Sequence, residues 1–385
     1  MNRMGQDMTS SRPSLVLFMV GVVAILIAGL QPVILGALEH EGRLDLSQIG
    51  VAATVELLAI GIACGASAAL LPTRRMRLIL CLAAAAHGAA NLACVNAAAG
   101  QLVALRGLSG ALAGVMLWSC VAMIARAHRP ERLAAAFVTV QTLAQLAIAA
   151  VLPLTAMAVA GAAGGLASLA ALSALIAVVV WRGPDQLADP PRQDQARGLL
   201  SAPAWIGLAT AFLQMAFIVA PFVYLEPLAA HAGLPQQAAG LATAAVLAAQ
   251  VTGGLAAMIG GGRLPPRRTL AAAMIVGALA LAGQWAAPSL MIFVAASGLF
   301  GFAWLFSLPF HTALLIDLDP TRRGAMQLGA AQLLGSACGP LVASLVVERQ
   351  GIEGVAAFSA VAVAAALAML VASGWVGKRA ALVRP

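Results

Sequence analysis

Charge is what this chain most lacks. Asp, Glu, Lys and Arg make up 9% of its 385 residues, while 62% are apolar. A soluble domain carries about 25% charged residues, so the composition excludes an ordinary cytosolic enzyme, a nucleic-acid binder and a disordered chain. Tyrosine occurs once, at Tyr224, and the only lysine is Lys378. Five cysteines are present: Cys64, Cys81, Cys94, Cys120 and Cys338. Each stands alone in an apolar run, without CxxC spacing or a neighbouring His, which excludes a disulfide framework and a zinc site. They read as small packing residues. There is no phosphate-cradling GxxxxGK[ST] and no dinucleotide fingerprint after a strand, so neither a nucleotide cofactor nor a bound metal is expected.

What the chain has instead is long apolar runs. A helix needs about 20 predominantly apolar residues to cross about 30 Å of hydrocarbon, and the mean hydropathy of +0.96 is spread over twelve such runs. They are predicted at 14–38, 47–71, 76–97, 100–125, 134–157 and 163–181, then at 203–229, 236–260, 267–287, 289–314, 324–347 and 353–376. Arg3 and Arg12 precede the first, as in a signal peptide. Its length exceeds the roughly 7 to 15 residues of a cleavable core, so it is read as a retained first span.

The net charge of +8 is topological rather than a grip for a polyanion, because the basic residues sit in short clusters between apolar runs. With the N-terminus inside, the cytoplasmic side collects Arg3, Arg12, Arg74, Arg75, Arg77, Arg126, Arg129, Arg132, Arg182, Arg192, Arg197, Arg263, Arg267, Arg268, Arg322, Arg323, Lys378, Arg379 and Arg384. These are nineteen of the 22 basic residues; Arg43 and Arg349 fall outside and Arg106 lies within a span. A missed span would scramble this alternation, so both ends are expected in the cytoplasm. The only long polar segment, Arg182 to Arg197, with three Asp and three Pro, reads as a cytoplasmic linker. The expected organisation is a six-helix bundle over 1–181, a linker over 182–202 and a second six-helix bundle over 203–385.

The halves resemble each other. Leu71-Pro72-Thr73-Arg74-Arg75 recurs as Leu264-Pro265-Pro266-Arg267-Arg268, and Leu30-Gln31-Pro32 as Leu225-Glu226-Pro227. Arg106-Gly107-Leu108-Ser109-Gly110 has a partner in Ser297-Gly298-Leu299-Phe300-Gly301, and Pro130-Glu131-Arg132 in Pro320-Thr321-Arg322. Four matches in order, at nearly constant offset, mark two copies of one unit in the same orientation.

Twelve spans in a 6+6 arrangement, both termini inside and a central linker resemble the major facilitator superfamily, over essentially the whole chain. That family's loop between spans two and three reads GxxxDRxGRR; here Gly65 and Arg74 are kept, and Ala69 stands at the Asp position. Its RxxxG pattern in span four is present as Arg106 to Gly110. The antiporter GPxxGG of span five is absent: Pro153 stands alone, and a Gly-Pro pair occurs at Gly339-Pro340. The resemblance implies an all-α integral membrane protein of a bacterial inner membrane, with two pseudo-symmetric bundles. It also implies a role for Arg106 in proton coupling and a substrate surrounded by spans one, four, seven and ten. That placement promotes Gln31, Gln214, Tyr224 and Trp304, although Trp304 is equally well a lipid-facing aromatic.

Ionisable residues within hydrocarbon carry most of the functional information, because a charge at the bilayer centre costs about 2.5 to 3.5 kcal/mol on insertion scales. Arg106 lies too deep for a loop; it either snorkels or faces a cavity and holds a carboxylate. Glu56 enters to a comparable depth. It either carries a proton or forms an ion pair with Arg106 that merely pins two helices. Glu226, beside helix-interrupting Pro227, is either a protonation residue at the outer gate or a capping residue in water. His87 is either a titrating group or a packed, hydrogen-bonded one. His311 precedes Asp317 and Asp319 near the cytoplasmic end of its span, and Asn91 adds an uncharged polar side chain. The expected coupling residues are therefore Glu56, Arg106 and Glu226. Gln31, His87, Asn91, Arg106, Gln214, Tyr224, Trp304 and His311 are expected to contact substrate; Arg74, Arg75, Arg267, Arg268 and Asp317 form the expected gates. The glycine pairs Gly61/Gly65, Gly110/Gly114 and Gly335/Gly339 are read as close helix approaches.

The function expected is secondary transport of a small organic solute, amphipathic, aromatic or anionic, coupled to protons. The partners expected are substrate, H+ and lipid, for a monomer that needs no cofactor and binds no nucleic acid. The alternative is a membrane enzyme acting on a lipid-like substrate, for which His311, Asp317 and Asp319 are the only approach to a catalytic cluster.

Overall fold

A computed structural model of the chain describes residues 4–127, 130–187, 200–235, 237–260, 263–287, 289–319 and 323–382. Every element in them is helical. In order these are α1 (Met4–His40), α2 (Leu46–Leu70), α3 (Met76–Cys94), α4 (Ala99–Ala125), α5 (Pro130–Val151), α6 (Ala156–Val180), α7 (Ala202–Val223), α8 (Leu225–His231), α9 (Gln237–Gly260), α10 (Pro266–Trp285), α11 (Leu290–Leu318), α12 (Arg323–Met326), α13 (Leu328–Gln350) and α14 (Glu353–Leu382). Twelve helices are long and apolar enough to cross a membrane, as the hydropathy pattern predicts. Residues 188–199, which make up most of the expected linker and include Arg192 and Arg197, lie outside the described residues, as do Arg3, Arg129, Arg322 and Arg384.

Two predicted spans are divided differently, each for a local reason. After α5, Pro153 sits in a short 3-10 turn, Leu152–Leu154, and α6 begins at Ala156 rather than at 163. It is broken at Ala160 and Gly161, where Gly161 adopts φ 55°, a left-handed conformation natural to glycine. Glu41 accepts a hydrogen bond from the Ala162 N–H at 2.6 Å, so a carboxylate caps the helix that restarts there. The predicted start at 163 thus marks the restart and misses the turn before it. The seventh span, predicted to 229, ends at Val223 because Tyr224 leaves helical geometry. Pro227 falls in the first turn of the new helix α8, where a missing N–H costs nothing.

Contacts group the chain into two compact units, Met1–Arg43 with Val55–Gln193, and Leu44–Thr54 with Asp194–Pro385. In the first, α1 packs on α4, α5 and α6, and α3 packs on α4 and α6. In the second, α7 packs on α11, α13 and α14, and α10 packs on α11 and α14. The same pairings therefore recur.

The repeat is visible at the level of single bonds. Arg77, in the first turn of α3, donates through Nε to the Gly183 carbonyl just beyond α6, at 3.2 Å. Arg267, in the first turn of α10, donates to the Ser373 carbonyl of α14 at 3.0 Å. Both arginines and both acceptors are 190 residues apart in the two units. The text match that pairs Arg74-Arg75 with Arg267-Arg268 is thus out of register by three residues. Gly110 of α4 lies against the Glu56 backbone of α2, and Gly301 of α11 lies in the same way against Val246 of α9; in both places a Cβ would collide with a carbonyl oxygen. Gly114, Gly335 and Gly339 also mark close approaches. Gly65 faces open space, so the Gly61/Gly65 spacing is not one.

Candidate functional site

The first unit encloses a chain of buried polar side chains from five helices. Arg106 of α4 and Glu56 of α2 are both fully buried and form an ion pair. Nη2 donates to Glu56 Oε1 and Nε to Oε2, the latter at 3.3 Å, a fork geometry that a guanidinium provides and an ammonium does not. The third guanidinium nitrogen, Nη1, donates to Asn91 Oδ1 of α3 at 2.8 Å. Gln31 of α1 adds a side-chain hydrogen bond to Glu56.

Asn91 extends the network. Its Nδ2 donates to the His87 carbonyl at 2.9 Å and reaches Ser109 Oγ at 3.3 Å and His87 Nε2 at 3.4 Å. His87 Nδ1 lies 2.7 Å from Ser173 Oγ of α6, and that hydroxyl donates to the Leu169 carbonyl at 2.8 Å. A hydroxyl has one proton, so the imidazole donates to Ser173 through Nδ1 and presents a lone pair at Nε2. Of the expected substrate residues, Gln31, His87, Asn91 and Arg106 are thus brought together with Glu56. Ser109 and Ser173 join them unforeseen; small hydroxyls inside apolar helices give little sequence signal.

The second unit is its own control. The position matching Glu56, fixed by the glycine contact, is Val246, and the position matching Arg106 in the aligned segments is Ser297. Ser297 Oγ accepts from Gln284 Nε2 of α10 at 3.1 Å and donates to the Phe293 carbonyl. The same helix packing therefore forms without a charge.

The second unit has a different polar cluster, between α7 and α11. Gln214 Nε2 donates to Ser307 Oγ at 2.7 Å, and Ser307 donates to the Trp304 carbonyl at 2.7 Å. His311, one turn further along α11, is fully buried. Trp304 is partly buried and meets the Phe222 ring edge to face at 5.4 Å. Tyr224 is fully buried at the α7/α8 break, with its hydroxyl against Gly50. Glu226 is partly buried in the first turn of α8, where a carboxylate favours the helix dipole.

Among the expected gating residues, Arg74 pairs with Gln186 in an isolated antiparallel bridge, and Arg75 takes φ 62° before α3. Arg268 and Asp317 are exposed, and Arg267 forms the bond to Ser373. Asp319 accepts from the Gly324 N–H at 3.0 Å, so it caps α12. His311 is buried while Asp317 is exposed, and the three residues assemble no catalytic cluster. Among the described residues no group of three or more His, Cys, Asp and Glu could hold a metal ion.

No family model matches the sequence, and no curated protein matches it. Solved structures do. The nucleoside transporter NupG has a TM-score of 0.71 at 14% identity, covering 93% of this chain and 98% of that one. The xylose transporter XylE from E. coli, inward open, has a TM-score of 0.70 at 14% identity, covering 92% and 94%. A bacterial homologue of the human lysosomal transporter Spinster has a TM-score of 0.64 at 14% identity, covering 97% of each chain. At these identities the likeness is one of fold, and with twelve helices long enough to span a membrane the chain has the twelve-helix fold of the major facilitator superfamily.

Proposed function

We propose that the chain is a secondary active transporter of a bacterial inner membrane, both ends cytoplasmic. It moves a small organic solute by alternating access, with Glu56 carrying the coupling proton and Arg106 controlling its release. The observation that carries this reading is the buried Glu56–Arg106 pair in one unit, where the other is built to the same plan with Val246 and Ser297. The fold does not require the charges, and a charge in hydrocarbon is costly enough to be kept for a purpose.

The geometry supports a switch. As a carboxylate, Glu56 accepts from Nε and Nη2 of Arg106 and from Gln31. A protonated carboxyl has an O–H donor of its own and offers fewer acceptor sites, so loading a proton frees the guanidinium from the pair. Arg106 then keeps its bond to Asn91 and turns a neutral pair into a net positive centre. The basic loops, concentrated on one side of the predicted topology, support the orientation. The transporters that share the fold support the broad activity.

The test is solute flux into proteoliposomes under an imposed pH gradient, for wild type and for Glu56→Gln, Arg106→Ala and Glu226→Gln. Loss of pH-gradient-driven flux in the first two is expected. Wild-type, pH-dependent flux in all three variants would overturn the assignment.

A further inference from the structure

The polar cluster of the first unit extends beyond its ion pair. It takes in Asn91, Ser109, His87 and Ser173, all of them buried. A polar side chain in hydrocarbon is destabilising unless it is paired, so four more of them are a cost that packing alone does not ask for.

The second unit shows what the packing does ask for. At the offset of 190 that relates Arg77 to Arg267 and Gly183 to Ser373, Cys94 matches Gln284. The register is sound, because Cys94 lies beside Arg106 while Gln284 bonds Ser297, the matching position. At the same offset His87 becomes Gly277, Asn91 becomes Leu281 and Ser173 becomes Val363. Ser109, one before Gly110, matches Phe300, one before Gly301. Phe300 meets Phe217 edge to face at 5.8 Å, and Phe217 lies against Gly277. Rings and aliphatic groups fill the space there, so the polar chain is replaced together with the ion pair.

The order of donors fixes what each member does. Ser173 Oγ gives its one proton to the Leu169 carbonyl, so it can only accept, and His87 Nδ1 donates to it at 2.7 Å. An imidazole with its proton on Nδ1 has a bare Nε2, and Asn91 Nδ2 lies 3.4 Å from that atom. The same Nδ2 donates more firmly to the His87 carbonyl, at 2.9 Å. Both contacts turn the amide N–H groups of Asn91 toward His87 and its oxygen toward Arg106 Nη1, at 2.8 Å. A proton on Nε2 would set N–H against N–H and drive the amide off the arginine. The ionisable groups beside His87 and Asn91 are Arg106, Glu56 and, one turn along α3, the Cys94 thiol; Arg43 reaches the Cys94 carbonyl from the far side, at 2.6 Å.

We infer that His87 and Ser173 are positioning residues of the Glu56–Arg106 pair: Ser173 keeps the imidazole proton on Nδ1 alone, and the imidazole keeps Asn91 turned toward Arg106. Together they give the guanidinium a fixed anchor on α3, which it retains while Glu56 is protonated. His87 and Asn91 then serve the arginine rather than a solute. This inference rests on the coupling role proposed for Glu56, but its tests need neither solute nor flux.

The first readout is NMR of the full chain in detergent, labelled at the histidine ring nitrogens; the His87 signals are those missing in His87→Gln. Near neutral pH the proton is expected on Nδ1 with Nε2 bare, and Ser173→Ala should no longer hold it there. The second readout is the pH at which Glu56 takes up a proton, followed by the infrared carboxyl band that is missing in Glu56→Gln. Ser173→Ala should shift that pH by about one unit, a tenfold change in proton affinity, and should shift it no further in an Asn91→Leu background. A proton on Nε2 in the wild type, no shift in Ser173→Ala, or the same shift with and without Asn91 overturns the inference. If Ser173→Ala behaves as expected while flux ignores the pH gradient, the positioning stands and the coupling fails. If flux is pH-driven through Glu56 and neither readout responds to Ser173→Ala, the coupling stands and the positioning fails.

Discussion

Replacing the Glu56–Arg106 pair by the residues its own second half uses tests whether the charges serve stability or something else. Arg106→Ser alone strands the Glu56 carboxylate and leaves Asn91 Oδ1 without its donor. Glu56→Val alone strands the guanidinium in a fully buried site. Removing one partner of a buried pair costs about 3–5 kcal/mol. The double variant Glu56→Val/Arg106→Ser leaves no buried charge; its residual penalty is the unpaired Asn91 oxygen, about 1–3 kcal/mol. The double variant should therefore be more stable than either single one, a coupling that independent sites would not show. At about 2–4 °C per kcal/mol for a unit of this size, each single variant should unfold about 6 to 20 °C below wild type, and the double variant should recover a good part of that loss. Thermal unfolding of the four proteins in detergent, followed by tryptophan fluorescence, measures the cycle. All three variants should lack proton-driven flux, so stability and function part company in the double variant. Losses that simply add would refute the equivalence drawn between Glu56 and Val246 and between Arg106 and Ser297.

Other contacts make separate predictions. Gly161→Ala puts a Cβ on a left-handed residue against the Glu41 carboxylate and should cost about 1–3 kcal/mol, read as a lower unfolding temperature; Glu41→Ala should remove the Ala162 cap for about 1 kcal/mol. Gly110→Val and Gly301→Val each force a side chain into a facing backbone carbonyl and should destabilise by similar amounts, about 1–3 kcal/mol or more. If only one of them destabilises, the two helix approaches are not equivalent. Arg77→Gln and Arg267→Gln each remove a side-chain bond to a backbone carbonyl and should cost about 0.5–1.5 kcal/mol in the same unfolding assay. A cysteine introduced at Gln195, in the expected cytoplasmic linker, should react with a membrane-impermeant maleimide only after the cytoplasmic face is opened; labelling from the outside would reverse the proposed orientation.

The pattern of apolar runs was sufficient for the twelve helices because length and hydropathy are local properties, summed over about 20 residues. What it could not resolve were the places where one residue decides. Nothing in VLPLTAM marks the Gly161 turn, because the Glu41 carboxylate that satisfies it comes from 121 residues away. The Glu56–Arg106 pair was legible because two opposite charges at comparable depth, in spans two and four, have few other partners. Ser173 and Ser307 were not: a serine in a helix bonds its own preceding turn whether or not it also serves a neighbour, as Ser297 and Ser336 do here.

The repeat shows the same division between local and long-range information. Matching Leu30-Gln31-Pro32 to Leu225-Glu226-Pro227 requires an offset of 195 residues, whereas the arginine-to-carbonyl bonds are related by 190. At 190 the counterpart of Gln31 is Pro221, inside α7, and Glu226 has moved past the Tyr224 break into α8. Gln31 lies in the continuous α1, bonded to Glu56, while Glu226 opens a short separate helix. The text match therefore joined two residues that occupy different positions in the fold, and a shared role for them has no structural basis. By the same register, the Glu56 position carries no charge in the second unit. A duplicated unit that keeps its packing glycines but has a buried ion pair in only one copy shows that the helix packing does not depend on that pair, and the coupling role proposed for Glu56 and Arg106 therefore asks nothing of the equivalent positions in the second unit.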